Sequence, residues 1–538
     1  MMIQSLNPST GKLVRSFEPI SAELLESKLA LAAAAAKSYA KEPLEARQFW
    51  MRRLALLLES DREELARTCT LEMGKTLAAA RSEIDKCAGA CRYYSEHAAG
   101  MLEAEKVPTE HEQSYVRWDP LGVVLAVMPW NFPFWQVFRF LAPALMAGNV
   151  GLLKHAPNVP QCALAIETLV RRAGFPRGSF QTLMLEDERV EALLADDRVA
   201  AVTLTGSEAA GRAVGSQAGH YLKKSVLELG GSDPFLVLPT ANIAAAIEQG
   251  VQARCMNNGQ SCIAAKRFLI HADVYDEFEN GFVERMERLK VGDPTEATTD
   301  IGPLAKPDAP DTMLRQVAAA LAAGGELLLG GKRAVGEGFF VEPTIVAGVP
   351  PRAAVCREEV FAPLAFLFKV HSLDEAIQFA NDTPFGLGAS CWTNDATEQE
   401  RLASEIQAGS VFFNTPVASD PRLPFGGIKR SGFGREHSAA GMREFLNAKT
   451  VVVATAQPSP EQTGFSFATT TAESQGGTLA PKFFEDPEPT ATEPTRAVPA
   501  HINAESPQDL PPQPNETPEA TEAEEMSAAM RFASALRR

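Results

Sequence analysis

The sequence has little of what disulfide-rich, membrane-spanning and nucleic-acid-binding proteins require. Its eight cysteines are scattered over 538 residues, unlike the dense spacing of a disulfide framework. Its most apolar run, LGVVLAVMPW, is about half as long as the roughly 20 residues that a membrane span needs. Lys and Arg total 51 against 68 Asp and Glu, and the net charge of -17 argues against nucleic acid as the main partner.

The beginning of the sequence lacks a basic segment followed by an apolar one. We therefore predict no secretory signal and expect a cytoplasmic protein. A composition of 45% hydrophobic and 22% charged residues is ordinary for a soluble globular enzyme. Because 538 residues exceed what one hydrophobic core usually supports, we expect two or more domains.

The texture of the sequence changes along the chain. The first hundred residues read as helices, whereas from Tyr115 short apolar runs that end in Gly or Pro alternate with Ala-rich helical windows. This alternation is typical of βαβ units with parallel strands, and a second series begins at about Gly230. We therefore predict two α/β layers. The predicted strands are GVVLAVMPW, AAVTLTG, KSVLELGG and PFLVLP, then KRFLIH, GELLLGG, PLAFLFKV and SVFFNTP.

Beyond about Thr455 the sequence is rich in Pro, Glu and Thr and poor in large apolar residues. Such a composition buries too little surface to offset the entropy of ordering, so we predict a disordered linker over 455–520. In the last stretch, 521–538, apolar residues recur at helical spacing. This stretch is either a short amphipathic helix that docks on a partner protein or a helix-prone terminus without a partner.

Cys262 lies in the stretch CMNNGQSCIAAKRF and could be a packing residue, a metal ligand or a nucleophile. Zinc would need clustered Cys or His, and His271 is the only His nearby, so we predict no metal. Turn-forming residues precede Cys262 and the helix-compatible IAAKRF follows it. We therefore predict a loop-to-helix junction, at which backbone N–H groups and the helix dipole stabilise a thiolate.

Three further segments carry residues that a nucleophilic thiol could use. Asn131 follows an apolar strand in MPWNFPFWQ and is either an oxyanion donor or a turn residue. Glu228 ends a strand in SVLELGG and is either a general base with a raised pKa or a solvated carboxylate. In TLTGSEAAG, Gly206 and Gly211 flank a helix start that suits a phosphate group.

Seven motifs, in this order, resemble those of the aldehyde dehydrogenase superfamily between about residues 3 and 453. They are PWNFP, LLKHAPN, TLTGSEAAG, LELGG, NNGQSC, EEVFAPL and PFGGIKRSGFGRE. The residues in and around three of these motifs, MPWNFPFWQVFR, KHAPNV and ELGGSDPF, resemble those of the succinate-semialdehyde dehydrogenase branch. Two positions depart from the pattern, because Ala362 stands where Gly is usual and Ala264 stands where many relatives of that branch have a second cysteine.

The resemblance implies a Rossmann-type NAD(P)-binding domain over 1–229, with an arm at about 113–125, and an α/β catalytic domain over 230–439. It adds an oligomerisation arm over 440–454 and a homodimer or homotetramer. It also implies that Cys262 attacks the aldehyde, that Asn131 and the Cys262 N–H hold the oxyanion, and that Glu228 activates water to release the acid. The expected reaction is oxidation of succinate semialdehyde to succinate.

For the cofactor, the resemblance places Lys154 on the adenosine ribose and Glu359 with Phe361 on the nicotinamide ribose. Pro157 has neither a hydroxyl nor an N–H group for a 2′-phosphate, so we expect NAD rather than NADP. The predicted cofactor-binding residues are Trp130, Lys154, Pro157, Gly206, Ser207, Gly211, Leu229, Glu359 and Phe361.

For the substrate, the resemblance suggests that Arg139 binds a distal carboxylate, with Ser419 as a second donor and Phe425 as a wall. An Arg in an aromatic segment is costly without an anionic partner, and a protein carboxylate is the alternative partner. Two other functions stay open. One is oxidation of another aldehyde, such as glutarate semialdehyde or a neutral aliphatic one, and the other is a tail-docked scaffold or cargo protein with the same fold.

Overall fold

The computed structural model describes residues 2–454. The predicted linker over 455–520 and the predicted terminal helix over 521–538 lie outside the described residues. Elements are numbered in chain order. No helix within residues 2–454 is long and apolar enough to cross a membrane.

The N-terminal region is helical, as predicted, except for a β-hairpin at its start. Strands β1 (Ile3–Asn7) and β2 (Lys12–Phe17) pair antiparallel around a turn that contains Gly11 at φ +67°. Ser21 caps the first helix, because its Oγ accepts a hydrogen bond of 3.2 Å from Leu24 N. The four helices are α1 (Ala22–Tyr39), α2 (Leu44–Ser60), α3 (Arg62–Met73) and α4 (Leu77–Leu102).

The first of two large sheets has six strands in the order β17-β9-β8-β5-β6-β7. All neighbours are parallel except β17, which pairs antiparallel with β9. The strands are β5 (Val123–Met128), β6 (Val150–His155), β7 (Phe180–Thr182), β8 (Val199–Thr205), β9 (Lys224–Glu228) and β17 (Gly432–Phe433). The helices between them are α5 (Trp135–Ala147), α6 (Pro160–Ala173), α7 (Val190–Ala195) and α8 (Glu208–His220).

The second large sheet has seven strands in the order β12-β13-β14-β11-β10-β15-β16, with only β12 antiparallel. Its strands are β10 (Asp233–Val237), β11 (Ala265–His271), β12 (Glu326–Leu329), β13 (Thr344–Ala347), β14 (Leu364–Val370), β15 (Gly388–Trp392) and β16 (Ser410–Phe413). Its helices are α9 (Ile243–Cys255), α10 (Ala272–Glu287), α11 (Ala309–Ala322), α12 (Leu373–Asn381) and α13 (Ala396–Glu405). The predicted pair of α/β layers is thus confirmed.

A third sheet, in the order β18-β4-β3, consists of antiparallel strands. Its strands are β3 (Glu105–Lys106), β4 (Gln113–Pro120) and β18 (Leu446–Val453), and helix α14 (Ser438–Arg443) precedes β18. The pairing of β4 with β18 joins the two segments that the sequence analysis predicts as arms. The predicted domain boundary after residue 229 lies between β9 and β10, but β17 returns to the first sheet. The domain division itself stays a prediction.

The helix predicted directly after Cys262 is wrong, whereas the strand predicted for KRFLIH is confirmed. Residues 265–271 form β11, an interior strand of the second sheet that pairs with β10 on one side and β14 on the other. Burial on both faces of a sheet outweighs the weak helix propensity of Ile-Ala-Ala. Cys262 therefore lies in a turn that leads from helix α9 into a strand, and no helix dipole begins there.

Candidate active site

A tight turn made of left-handed residues places Cys262. Asn257, Asn258 and Gly259 have φ angles of 55°, 57° and 76°. Asn tolerates this region better than most residues, and the sequence has Gly at the third position. A Cβ atom on Gly259 would lie 2.4 Å from Pro363 N, so only glycine fits there. The turn-forming residues of the NNGQSC motif are thus explained by backbone geometry.

Two buried cations hold the backbone on both sides of Cys262. Arg254 Nη2 donates to Gly259 O at 2.6 Å, and Lys266 Nζ donates to Ser261 O at 3.0 Å and also to Cys262 O. Within residues 2–454, the backbone N–H of Cys262 itself makes no hydrogen bond. This N–H group therefore remains available to a bound substrate, as an oxyanion donor requires.

Asn131 lies against this turn, so the structure brings two of the predicted catalytic residues together. Its Nδ2 donates to Gln260 O at 3.2 Å, and its backbone O accepts from Asn257 Nδ2 at 2.7 Å. Its Oδ1 accepts from Gln136 Nε2 at 3.4 Å, which fixes the orientation of the amide. An amide group has two donor hydrogens, and one hydrogen bond to Gln260 leaves the second available.

Glu228 ends strand β9 and is buried, with its Oε1 lacking a hydrogen-bond partner among the described residues. A Cβ atom on Gly426 would lie 2.7 Å from this oxygen, which explains a glycine of the PFGG motif. Burial raises the pKa of Glu228 well above its usual value, repulsion from Glu436 adds to the shift, and Arg139 opposes it. The raised pKa expected from the apolar strand end is thus present.

The segment after Glu228 joins the other parts of the site. Glu228 O accepts from Gly206 N at 3.0 Å, which ties the general-base candidate to the glycine turn after β8. A Cβ atom on Gly231 would lie 2.7 Å from Cys262 O, so the same segment packs against the cysteine. The nucleophile, base and phosphate-turn candidates therefore converge between the two large sheets.

The Cys262 thiol is not the stabilised thiolate that the sequence analysis predicts. Burial raises its pKa to about 12, although the positive charges of Arg139 and Lys266 oppose the shift. Without a helix dipole at this position, the thiol is protonated in the resting protein at neutral pH. Nucleophilic attack therefore requires a base that removes the proton.

The turn after β8 suits the pyrophosphate of a dinucleotide. Ser207 caps the 13-residue helix α8, because its Oγ accepts from Ala210 N at 3.2 Å. The first N–H groups of a helix attract phosphate, and a Cβ atom on Gly206 would make an ordinary contact of 3.5 Å with Leu204. A Cβ atom on Gly211 would lie 2.5 Å from the Leu229 side chain, so these two predicted residues contact each other.

The other predicted cofactor residues form two groups. In the group that the resemblance places at the nicotinamide, Glu359 Oε1 accepts from Gly231 N at 3.0 Å, and the rings of Trp130 and Phe361 meet edge to face with their centres 5.6 Å apart. At the end of β6, buried Lys154 contacts the exposed carboxylate of Asp187, and Pro157 is exposed close by. A helix N-terminus, an aromatic pair and a buried cation together fit a nicotinamide dinucleotide.

Arg139 has the protein carboxylate that the sequence analysis left as the alternative partner. Its Nε lies 2.7 Å from Glu436 Oε2, and both side chains are buried. Its Nη2 donates to Thr205 Oγ1 at 3.3 Å, and its guanidinium lies 5.0 Å from the centre of the Phe425 ring. Contact between Arg139 and a substrate carboxylate stays a prediction.

Ser419 contacts Trp135 and Lys86, and the sequence analysis assigns neither of them to the site. Its Oγ accepts from Trp135 Nε1 at 3.1 Å and from Lys86 Nζ at 2.9 Å. Lys86 belongs to α4, 333 positions away, and only the tertiary structure brings it here. Glu436 does lie within the PFGGIKRSGFGRE motif, but nothing local in the motif indicates that it pairs with Arg139.

Comparisons with known proteins agree with this geometry. Residues 1–451 match the family model described as "Aldehyde dehydrogenase family". The chain is 51% identical over 457 residues to "Succinate-semialdehyde dehydrogenase [NADP(+)] 1" of Mycobacterium tuberculosis, covering 84% of this chain and 100% of that protein. It is 52% identical over 454 residues to "Probable succinate-semialdehyde dehydrogenase [NADP(+)]" of Synechocystis, with the same coverage.

A solved structure leads to the same family. The succinic semialdehyde dehydrogenase of Streptococcus pyogenes, in complex with NADP+, superposes with a TM-score of 0.82 at 36% identity. The superposition covers 84% of this chain and 100% of that one. The order of the motifs and the convergence of Asn131, Cys262 and Glu228 agree with these similarities. The chain belongs to the aldehyde dehydrogenase family.

Proposed function

We propose that this protein oxidises succinate semialdehyde to succinate with NADP as the cofactor. The observation that carries the proposal is about 51% identity, over their whole length, to relatives that are named succinate-semialdehyde dehydrogenases. The contact of Asn131 with the turn that holds Cys262, and the burial of the Glu228 carboxylate, support the same chemistry.

The first step is attack of the Cys262 sulfur on the aldehyde carbon. The thiol proton must leave as the C–S bond forms, and a water molecule accepts it. The carbonyl oxygen takes the electron pair, and the second amide hydrogen of Asn131 and the backbone N–H of Cys262 donate to it. Loss of one such donor typically costs about 3 kcal/mol of transition-state stabilisation.

A nicotinamide cofactor, when bound, would supply the hydride acceptor for the tetrahedral carbon. Trp130, Phe361 and Glu359 would hold that end of the cofactor, and the turn at Gly206 would hold its pyrophosphate. What remains on the protein is an acyl group joined to Cys262 through a thioester. Glu228, as a carboxylate, then takes a proton from water, the hydroxide adds to the acyl carbon, and the sulfur leaves with the acid released.

We propose NADP where the sequence analysis expected NAD, because the similar relatives are named for NADP(+). Pro157 is exposed and offers no donor, but it does not decide the choice of cofactor alone. Lys154 supplies a positive charge at the end of β6, and the carboxylate of Asp187 beside it is exposed and can be displaced. A 2′-phosphate is the group that a lysine at this position recognises.

The proposed function is tested by measuring kcat/KM for succinate semialdehyde, glutarate semialdehyde and butanal, each with NADP and with NAD. We expect the highest value for succinate semialdehyde with NADP. A higher value for glutarate semialdehyde or butanal would assign a different aldehyde. No turnover of any aldehyde, despite correct folding, would favour the scaffold or cargo function.

Replacement of Lys154 by Ala should lower kcat/KM for NADP about tenfold to a hundredfold, since a charge-assisted contact contributes about 1.5–3 kcal/mol. The value for NAD should fall much less, because NAD has no 2′-phosphate. Asp187→Asn is the matched control, which removes the carboxylate beside Lys154 and should not lower NADP use. An equal loss for both cofactors would show that Lys154 does not distinguish them.

We also propose that the sheet of β18, β4 and β3 joins subunits into a homodimer or homotetramer. Strand β18 lies at an edge of this sheet, and Val452 and Val453 on it are exposed. An apolar edge strand is a surface on which a second copy can continue the sheet.

A reducing cytoplasm is consistent with the eight cysteines, all of which are free.

A further inference from the structure

Lys266 is a buried cation whose side chain folds back onto the turn that holds Cys262. The side chain has no exposed surface, and its Nζ donates to Ser261 O at 3.0 Å and also to Cys262 O. Within residues 2–454, no carboxylate lies at ion-pair distance from this ammonium group. The charge of Lys266 is therefore not neutralised by direct contact, and one of its two hydrogen-bond partners is the carbonyl group of the nucleophile itself.

A break in the strand register allows Lys266 to reach this turn. Ala265 pairs with Asp233 of β10, and Arg267 pairs with Pro234, the very next residue. Lys266 is thus an extra residue between two consecutive pairs, and the pairing of β11 with β14 begins only at Arg267. Bulges of this kind change the direction in which a side chain points and are frequent next to active sites. Lys266 therefore lies outside the strand pairing on both sides.

Three charged side chains, from three different segments, act on Lys266. Burial lowers the pKa of Lys266, and Arg254 on α9 adds to this shift. The carboxylates of Glu359, in the segment before β14, and of Asp233 on β10 oppose the shift in the pKa of Lys266. Burial also raises the pKa of Asp233 to about 7, although Lys266 opposes this. Above that pH, Asp233 is mostly ionised and helps to keep Lys266 charged.

The charges of this cluster act on the Cys262 thiol with opposite signs. Burial raises the pKa of Cys262, Arg139 and Lys266 oppose the shift, and Glu359 and Asp233 add to it. Arg139 already has a buried carboxylate as its partner at 2.7 Å, which reduces its effect on the thiol. Lys266 is the cation that acts on the thiol without such a partner. Formation of the thiolate therefore depends on the balance between Lys266 and the two carboxylates.

We propose that Lys266 is a positioning residue for Cys262, which fixes the carbonyl group of the nucleophile and, through its positive charge, favours the thiolate over the thiol. Asp233 limits this effect, because its negative charge acts on the same sulfur in the opposite direction. The inference deepens the proposed function and rests on Cys262 as its nucleophile, but it does not depend on which aldehyde or which cofactor the protein uses.

The test measures the rate at which iodoacetamide alkylates Cys262 between pH 7 and pH 9, without substrate or cofactor. The sulfur displaces iodide as a thiolate, and the reagent is uncharged, so loss of the lysine does not change how strongly the site attracts it. In Lys266→Met the rate should fall about tenfold, because a nearby opposite charge lowers a pKa by about one unit or more. Lys266→Arg keeps the charge and should retain most of the rate.

Asp233→Asn is the matched variant of opposite sign. It removes the negative charge but keeps a side-chain oxygen for Gly388 N, which donates to Asp233 Oδ1 at 3.2 Å. At pH 9, where Asp233 is ionised, this variant should alkylate faster than the wild-type protein, whereas Lys266→Met alkylates more slowly. Cys255 is the internal control, because the groups that shift its pKa do not include Lys266. Its alkylation, resolved by peptide mass, should be the same in every variant.

The outcomes separate the inference from the proposed function. An unchanged Cys262 rate in Lys266→Met would overturn the inference, and so would a slower rate in both Lys266→Met and Asp233→Asn, which would indicate only a disturbed turn. In either case, oxidation of succinate semialdehyde by the wild-type protein would leave the proposed function intact. The predicted pair of opposite changes, without any such oxidation, would support the inference and contradict the proposed substrate. If Lys266→Met does not fold, Lys266→Gln carries the same expectation.

Discussion

Replacement of Cys262 by Ala should abolish aldehyde oxidation with either cofactor. The proposed reaction passes through two bonds to the Cys262 sulfur, first in a tetrahedral adduct and then in a thioester. No other thiol can take this place, because only Cys262 lies in the turn that Asn131 contacts through Gln260. The measurement is the steady-state formation of reduced cofactor, followed by absorbance with saturating substrate.

Cys255 provides a matched control in the same region. It ends α9, it is also half-buried, and burial raises its pKa to about 12, the same value as for Cys262. The two thiols therefore differ in position and not in pKa. Cys255→Ala should retain activity, because Cys255 lies outside the turn that Asn131 contacts. Activity that survives in Cys262→Ala but is lost in Cys255→Ala would show that Cys255, and not Cys262, is the nucleophile.

Replacement of Glu228 by Gln should retain a burst of reduced cofactor, about one equivalent per active site, and lower the steady rate by about a hundredfold to ten-thousandfold. Gln has nearly the shape of Glu and can lie against Gly426 in the same way, but it cannot take a proton from water. The thioester therefore accumulates. Rapid-mixing absorbance measurements resolve the burst from the steady rate.

The pH dependence gives this second prediction an independent control. Because burial raises the pKa of Glu228, the ionised fraction that acts as a base increases as pH rises through that pKa. Wild-type turnover should increase with it, whereas the slow turnover of Glu228→Gln should not follow the same curve. Equal loss of the burst and of the turnover would contradict a role of Glu228 that is confined to deacylation. It would place Glu228 in the attack of Cys262.

Local patterns predicted most of the fold and marked Asn131, Glu228 and Cys262 as candidates for the site. Asn131, Glu228 and Cys262 each lie where a strand or a helix gives way to a turn, and turn-forming residues mark such places in a sequence. All eight predicted strands are present, because apolar runs bounded by Gly or Pro carry the strand signal. Five strands of the two large sheets were missed, namely β6, β7, β13, β15 and β17.

The failures have a common physical cause, which is that long-range contacts decide them. No helix follows Cys262, because residues 265–271 pair with β10 and β14 in the second sheet, although Ile263, Ala264 and Ala265 suit a helix. Likewise, Arg139 has Glu436 as its partner and Ser419 has Lys86, and no local pattern records either pair. The expectation of a stabilised Cys262 thiolate depended on the helix that is not there.

The most direct test of the proposed chemistry is the mass of the protein during turnover. Glu228→Gln should be mixed with succinate semialdehyde and NADP, quenched in acid and digested. The mass of the peptide that contains Cys262 is then measured by mass spectrometry. We expect a mass increase equal to one succinyl group on Cys262, with none on Cys255. A full burst of reduced cofactor without any acyl group on Cys262 would contradict a covalent mechanism at this residue.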